Sequence, residues 1–241
     1  MKVVILAGGM GTRLAEETEK IPKPMVLIGK YPILWHIMSI YALQGFHDFT
    51  IATGYKGECI ESWLASDEFI ELARPFGINA VARNTGLETQ TGGRIQQILE
   101  DSPSDPILLT YGDGLANVDL DALIKSHRKS KVAATLTAVR PPARFGYVEF
   151  DGDRVVGFSE KHQSNEGWIN GGFFVLEPDV RAFISHPLEP FETGALTRLA
   201  ELNQLNAYQH QGYWQAMDTL REKRDIEALY DQGLSPWILK K

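Results

Sequence analysis

The sequence predicts an α/β fold in which a mainly parallel, mixed sheet is flanked by helices, and three observations carry that prediction. A short apolar run, Val3-Val4-Ile5-Leu6, empties into the glycine-rich turn Ala7-Gly8-Gly9-Met10-Gly11-Thr12-Arg13. Apolar, β-branched runs then alternate with helical patterns through the first half, the sequence sign of right-handed βαβ crossovers. From about residue 131 the pattern turns strand-rich with no Gly/Ser/Pro linker in between, so one domain over residues 1–241 is expected, with halves of about 1–130 and 131–241.

In chain order, the first half reads as a strand near 2–7, a helix near 32–45, a strand near 48–53 and helices between 57 and 75. Strand-like runs follow at Ile78-Asn79-Ala80-Val81 and Ile107-Leu108-Leu109-Thr110. In the second half, strands are expected at 133–139, 147–150, 154–159 and 169–176, with Asp151-Gly152-Asp153 as a hairpin turn. Helical patterns over 193–202 and 219–232 close the chain. In open α/β sheets ligands bind outside the carboxyl ends of the strands. Gly8-Gly9 and Gly112-Asp113-Gly114 both stand where predicted strands end, so two distant segments can face one crevice.

Composition narrows the partners. A chain of 241 residues with 44% apolar side chains can bury one sizeable core. The net charge of −7 argues against a nucleic acid polymer as partner, because phosphate backbones are held by Lys and Arg stripes. Cys59 is the single cysteine and cannot form an internal disulfide, and the six histidines lack zinc-site spacing. His36, in an apolar helical pattern, reads as a core or interface residue, and Trp35, Trp63 and Trp168 read as packing or pocket-wall residues. No signal-peptide or membrane-span pattern is present, so a cytoplasmic protein without a membrane partner is expected. A homo-oligomer is compatible with the sequence, which does not specify the oligomeric state.

A buried strand that opens into a glycine-rich turn lets backbone N–H groups approach phosphates, and Arg13 and Lys23 add the charge that a polyphosphate needs. The missing fingerprint argues against hydride transfer: position 14 is Leu14, and the second strand runs into Gly54-Tyr55-Lys56 rather than a ribose-binding acid. Asp113, between two glycines, can project its carboxylate without crowding a ligand, although an Asp-Gly turn would look the same. Asp218 could equally belong to the N-cap region of the last helix.

In these motifs the chain resembles the sugar-1-phosphate nucleotidyltransferase family, nearly end to end. The resemblance rests on the opening, on Lys23-Pro24-Met25, Gly54-Tyr55-Lys56-Gly57, Thr91-Gly92-Gly93-Arg94 and Thr110-Tyr111-Gly112-Asp113-Gly114. It continues through Arg144-Phe145-Gly146, Glu160-Lys161, Ile169-Asn170-Gly171-Gly172, Gly212-Tyr213-Trp214 and Met217-Asp218-Thr219. It implies a Rossmann-like sheet of the nucleotide-diphospho-sugar transferase type, with a nucleotide half followed by a sugar-phosphate half. The implied substrates are an NTP and a sugar-1-phosphate, joined with release of pyrophosphate and with Mg²⁺ as cofactor.

The resemblance also implies roles. Leu6, Ala7, Gly8, Gly9, Gly11, Thr12, Arg13, Gln90, Thr91, Gly92 and Gly112 would bind the nucleotide, and Asp113 and Asp218 would hold the metal. Arg13, Lys23 and Asp113 would carry catalysis, Lys23 at the α-phosphate. Gly146, Tyr147, Glu160, Lys161, Asn170 and Gly171 would take the sugar phosphate, with Lys161 on its phosphate and Glu160 and Asn170 on its hydroxyls. The Thr91-Gly92-Gly93-Arg94 form resembles the cytidylyl branch of the family, and the resemblance as a whole implies CTP with α-D-glucose 1-phosphate as the leading pair. Guanylyl, uridylyl or thymidylyl transfer, another sugar or phosphocholine as acceptor, and a catalytically silent sensor of nucleotide sugars stay open. Retention of Arg13, Lys23, Asp113 and Asp218 together favours an enzyme over the silent reading.

Overall fold

The computed structural model describes residues 1–11, 14–141, 147–159 and 167–239. The chain begins with β1 (Lys2–Ala7), a one-turn α1 (Ala15–Thr18), a 3-10 turn (Lys23–Met25) and the short strands β2 (Leu27–Ile28) and β3 (Tyr31–Pro32). There follow α2 (Ile33–Ala42), β4 (Asp48–Thr53), α3 (Gly57–Leu64), α4 (Asp67–Ala73), β5 (Asn79–Asn84) and α5 (Thr91–Asp101). Next come β6 (Ile107–Tyr111), β7 (Gly114–Ala116), α6 (Leu120–Ser130) and β8 (Ala134–Val139). The last part holds β9 (Tyr147–Asp151), β10 (Arg154–Ser159), β11 (Ile169–Leu176), α7 (Ala195–Glu201), β12 (Leu205–Gln209), β13 (Trp214–Ala216) and α8 (Leu220–Asp231).

Seven of these strands form one sheet in the order β12-β8-β11-β6-β1-β4-β5. Pairing is parallel except along β11, which runs antiparallel to both β6 and β8. The expected mixed, mainly parallel sheet is therefore present, and strands from the second half of the chain continue it. The β9–β10 hairpin pairs within itself and turns at Gly152, whose φ of 57° suits a tight two-strand connection.

Both faces of the sheet are covered, which is why its central strands read as unbroken apolar runs. Alternate residues of β1 divide between two cores: Val3, Ile5 and Ala7 pack with α2, α3 and α8, whereas Val4 and Leu6 pack with α5 and α7. Each fully buried Ile or Leu contributes roughly 1.5–3 kcal/mol. His36 is buried as expected; it bonds the Ile28 carbonyl at 3.0 Å and meets Tyr230 and Trp237 edge-on, tying α8 to the β2–β3 segment. No helix among the described residues is long and apolar enough to cross a membrane.

The helix expected near 32–45 is shorter, Ile33–Ala42, because Pro32 stands at its start and Gly45, at φ 91°, reverses the chain after it. Helices α5 and α6 and the strands β7, β12 and β13 were not individually expected. Of these, α5 and α6 complete two crossovers, β12 forms one edge of the sheet, and β7 and β13 pair in a separate two-stranded ladder.

Candidate active site

Parallel pairing of β1 with β6, in the register Leu6 to Tyr111, brings Gly8-Gly9 and Gly112-Asp113-Gly114 out at the same sheet edge. Antiparallel pairing of β11 with β6 sets the start of β11, with Asn170 and Gly171, at that edge too. These loops surround a cleft of about 670 Å³, lined by Leu6, Ala7, Gly8, Gly9 and Gly11, by Gln90 and Thr91, by Gly112 and Asp113, and by Asn170 and Gly171. Lys23 and Asp218 complete one wall. Thr12, Arg13, Gly146, Glu160 and Lys161, also expected in the site, lie outside the described residues, and of Tyr147 only the backbone, at the start of β9, is described.

Asp218 reaches Asp113 through a small antiparallel ladder. β13 pairs with β7 (Ala216 with Gly114), and the Met217 N–H donates to the Asp113 carbonyl at 2.9 Å. Thr219 then caps α8: its hydroxyl accepts from the Glu222 N–H, while the Glu222 carboxylate accepts from the N–H groups of Thr219 and Asp218 at 2.9 and 2.8 Å. Such a reciprocal cap fixes the chain where the carboxylate leaves it.

Lys23 stands in the 3-10 turn between Pro22 and Pro24, so its backbone has little freedom. Its ammonium donates to Asp113 Oδ2 and to Asp218 Oδ1, both at 2.6 Å. Burial disfavours the charge on Lys23, but the two carboxylates outweigh it and hold the pKa above the ordinary lysine value. Among the described residues no group of three or more His, Cys, Asp or Glu side chains converges. The donor set is thus two hard carboxylates, which suits a small oxygen-loving cation that completes its shell with water and phosphate oxygens.

A second cation underlies the glycine loop. Arg94, 3% exposed, donates to the Thr53 carbonyl (2.8 Å), the Thr85 hydroxyl (2.5 Å) and the Gly8 carbonyl (3.0 Å), all neutral acceptors. Burial lowers its pKa without bringing a guanidinium near neutrality, so a fixed positive charge lies beneath Gly8. A Cβ on Gly8 would stand 2.2 Å from that guanidinium.

The cleft also holds a carboxylate that no motif announced. Glu192 accepts from the Tyr111 hydroxyl at 2.6 Å and the Thr91 hydroxyl at 2.8 Å, and Asn170 donates to the same tyrosine oxygen at 3.1 Å. Burial, together with the Glu192 charge, raises the Tyr111 pKa, so this hydroxyl stays protonated and donates. Gly92, expected on the nucleotide side, is not a lining residue. Its N–H donates to the Glu189 carbonyl at 3.0 Å, and a Cβ there would approach that oxygen to 2.5 Å.

A Cβ on Gly93 would lie 2.2 Å from the Pro187 carbonyl oxygen. The glycine pair therefore lets the segment that carries Glu192 lie directly on the first turn of α5. Gly93→Ala is expected to destabilise the fold by about 1–3 kcal/mol even though alanine gains roughly 1 kcal/mol of helix propensity, because the collision is with backbone. Denaturant melts check this, and a variant as stable as the parent would show that the segment shifts freely.

Comparison with known proteins agrees with this architecture. The sequence profile described as Nucleotidyl transferase matches residues 2–223. A glucose-1-phosphate cytidylyltransferase from Salmonella typhi is 43% identical over 255 aligned residues, covering 98% of each chain. That aligned length exceeds the 241 residues present here, so the relative carries inserted residues. A D-glycero-alpha-D-manno-heptose 1-phosphate guanylyltransferase from Aneurinibacillus thermoaerophilus is 33% identical over 181 residues, 73% of this chain and 74% of its own. Among solved structures, HddC from Yersinia pseudotuberculosis superposes with a TM-score of 0.72 at 25% identity, covering 95% of this chain and 99% of that one. With a profile match over most of its length and an end-to-end relative, the chain belongs to the nucleotidyl transferase family.

Proposed function

We propose that the protein transfers a cytidylyl group from CTP to α-D-glucose 1-phosphate, forming CDP-glucose and pyrophosphate in the cytoplasm. The observation that carries the reaction type is the convergence of Lys23, Asp113 and Asp218 at the glycine-rich strand ends. The choice of CTP and glucose draws on the end-to-end likeness to the Salmonella typhi cytidylyltransferase.

A phosphate oxygen of the sugar phosphate attacks the α-phosphorus, and the bond from that phosphorus to the bridging oxygen breaks as pyrophosphate leaves. Such displacement needs positioning and charge stabilisation rather than a covalent enzyme intermediate. In this reading Asp113 and Asp218 hold Mg²⁺, which when bound offsets negative charge on the phosphates. Lys23 supplies positive charge at the α-phosphate, and Arg13 takes the β- and γ-phosphates. The glycine backbone around Gly8 and Gly9 admits the nucleotide closely, and buried Arg94 adds a fixed positive field beneath it. Lys161 holds the acceptor's phosphate, and Glu160 and Asn170 its hydroxyls.

A matrix of NTPs against sugar-1-phosphates, scored by Mg²⁺-dependent pyrophosphate release, tests the proposal, with CTP plus α-glucose 1-phosphate expected to turn over fastest. Faster turnover of another pair would reassign base or acceptor. Nucleotide binding without turnover of any pair would make the protein a silent relative.

Glu192 is unsuited to a phosphate and suited to hydroxyl donors, and it shares Tyr111 with Asn170. Glu192→Gln is expected to raise KM for the sugar phosphate by about 10–100-fold, the scale of one charge-assisted hydrogen bond of roughly 1.5–3 kcal/mol, with KM for CTP changed far less. Steady-state kinetics with each substrate varied in turn decide this. An unchanged sugar-phosphate KM removes Glu192 from the acceptor pocket.

A further inference from the structure

We propose that the Lys23 ammonium and the divalent cation are competing occupants of the Asp113–Asp218 carboxylate pair, so that Lys23 is the resting counter-ion and is freed toward the phosphates when the metal enters. The inference rests on the metal-ligand reading of the two aspartates given above and concerns what Lys23 does before substrate arrives.

Two carboxylates from different segments, one following β6 and one preceding α8, aim single oxygens at the same nitrogen, each at 2.6 Å. Without a cation between them the two anions would repel, and the pair would not keep its spacing. A metal coordinated by those same oxygens would lie within contact distance of the ammonium, and two like charges so close are strongly unfavourable. The side chain of Lys23 is 10% exposed, whereas Asp113 and Asp218 are 31% and 20% exposed, so the carboxylates are the part of the cluster that solvent and an entering ion meet.

The lysine backbone is pinned between prolines, but four rotatable carbons let the ammonium swing without moving the turn. Metal binding and Lys23 binding are then negatively coupled, and by reciprocity each weakens the other equally. A nucleotide relieves the conflict, because its phosphates accept the displaced ammonium and supply further oxygens to the metal. The free protein should accordingly hold a divalent ion poorly and the nucleotide-bound protein hold it well.

The test uses Mn²⁺ alone as probe, with the free-ion signal read by electron paramagnetic resonance on nucleotide-free protein. Lys23→Met should bind Mn²⁺ about 5–150-fold more tightly than the parent, the usual span of a coupling of this kind. The double variant Lys23→Met with Asp113→Asn should lose that gain. A folded Lys23→Met protein that binds Mn²⁺ no more tightly than the parent overturns the proposal.

If Lys23→Met does not fold, the parent protein answers. Labelling of Lys23 by acetic anhydride, read by mass spectrometry, should quicken on adding Mn²⁺, and unchanged or slower labelling overturns the exchange. Equal, measurable Mn²⁺ affinity in parent and variant sinks only the exchange. Absence of Mn²⁺ binding from both, with and without nucleotide, sinks the metal-ligand reading along with it.

Discussion

Asp113→Asn is expected to lower kcat by more than about 100-fold, beyond the roughly 10–100-fold typical of losing an outer partner of a metal ligand, while leaving the protein folded. The backbone argument for stability is specific. Asp113 is held through its carbonyl, which accepts from the Met217 N–H at 2.9 Å, and that bond does not involve the carboxylate. The substitution keeps size and removes charge from one of the two carboxylates that meet Lys23. An amide oxygen remains a weak neutral ligand, so activity should recover partly at high Mg²⁺, and Asp218→Asn should behave alike. Turnover measured across a Mg²⁺ titration, with thermal melts in parallel, checks both. Near-normal turnover at low Mg²⁺ in either variant would remove that residue from the metal site.

The legibility of this site in sequence follows from what sequence can encode locally. The central strands of the sheet were readable because both their faces are buried, which leaves apolar runs such as Val3-Val4-Ile5-Leu6 with glycines at their ends. Helix α6 was missed even though Leu120, Leu123, Ile124 and His127 lie buried along one face, and α5 opens on Thr91-Gly92-Gly93, where a glycine pair reads as a turn rather than a helix start. What makes it a helix is tertiary: the Glu189 carbonyl accepts the Gly92 N–H, and the Pro187 backbone fills the space a side chain would need.

Lys23, Asp113 and Asp218 were each visible as residues in motifs. Their meeting depends on the β7–β13 ladder, whose strands are three residues long and leave almost no periodic trace. Glu192 had no motif at all, since its place in the cleft comes from hydroxyl partners on α5 and β6 that only the fold brings together. Neither Arg94's burial nor its purely neutral partners could be read from the motif that contains it.

Lys23→Ala separates the two things this lysine is asked to do. If its ammonium offsets charge that develops around the α-phosphate, removal should lower kcat by about 10²–10³-fold, the usual cost of losing one transition-state donor. Uniform binding would instead raise KM for CTP and leave kcat alone. The resting structure makes the first outcome the expected one, because the free protein already stabilises the ammonium with two carboxylates at 2.6 Å, and leaving them for a ground-state phosphate exchanges one set of anions for another with little net gain. Binding energy that is absent in the ground state can still appear as the phosphoryl charge redistributes. The same variant should show a stronger hold on metal and a slower reaction, a combination that a general loss of structure does not produce. Steady-state kinetics with the sugar phosphate saturating and CTP varied decide the matter, and a defect that disappears at high CTP would confine Lys23 to nucleotide binding.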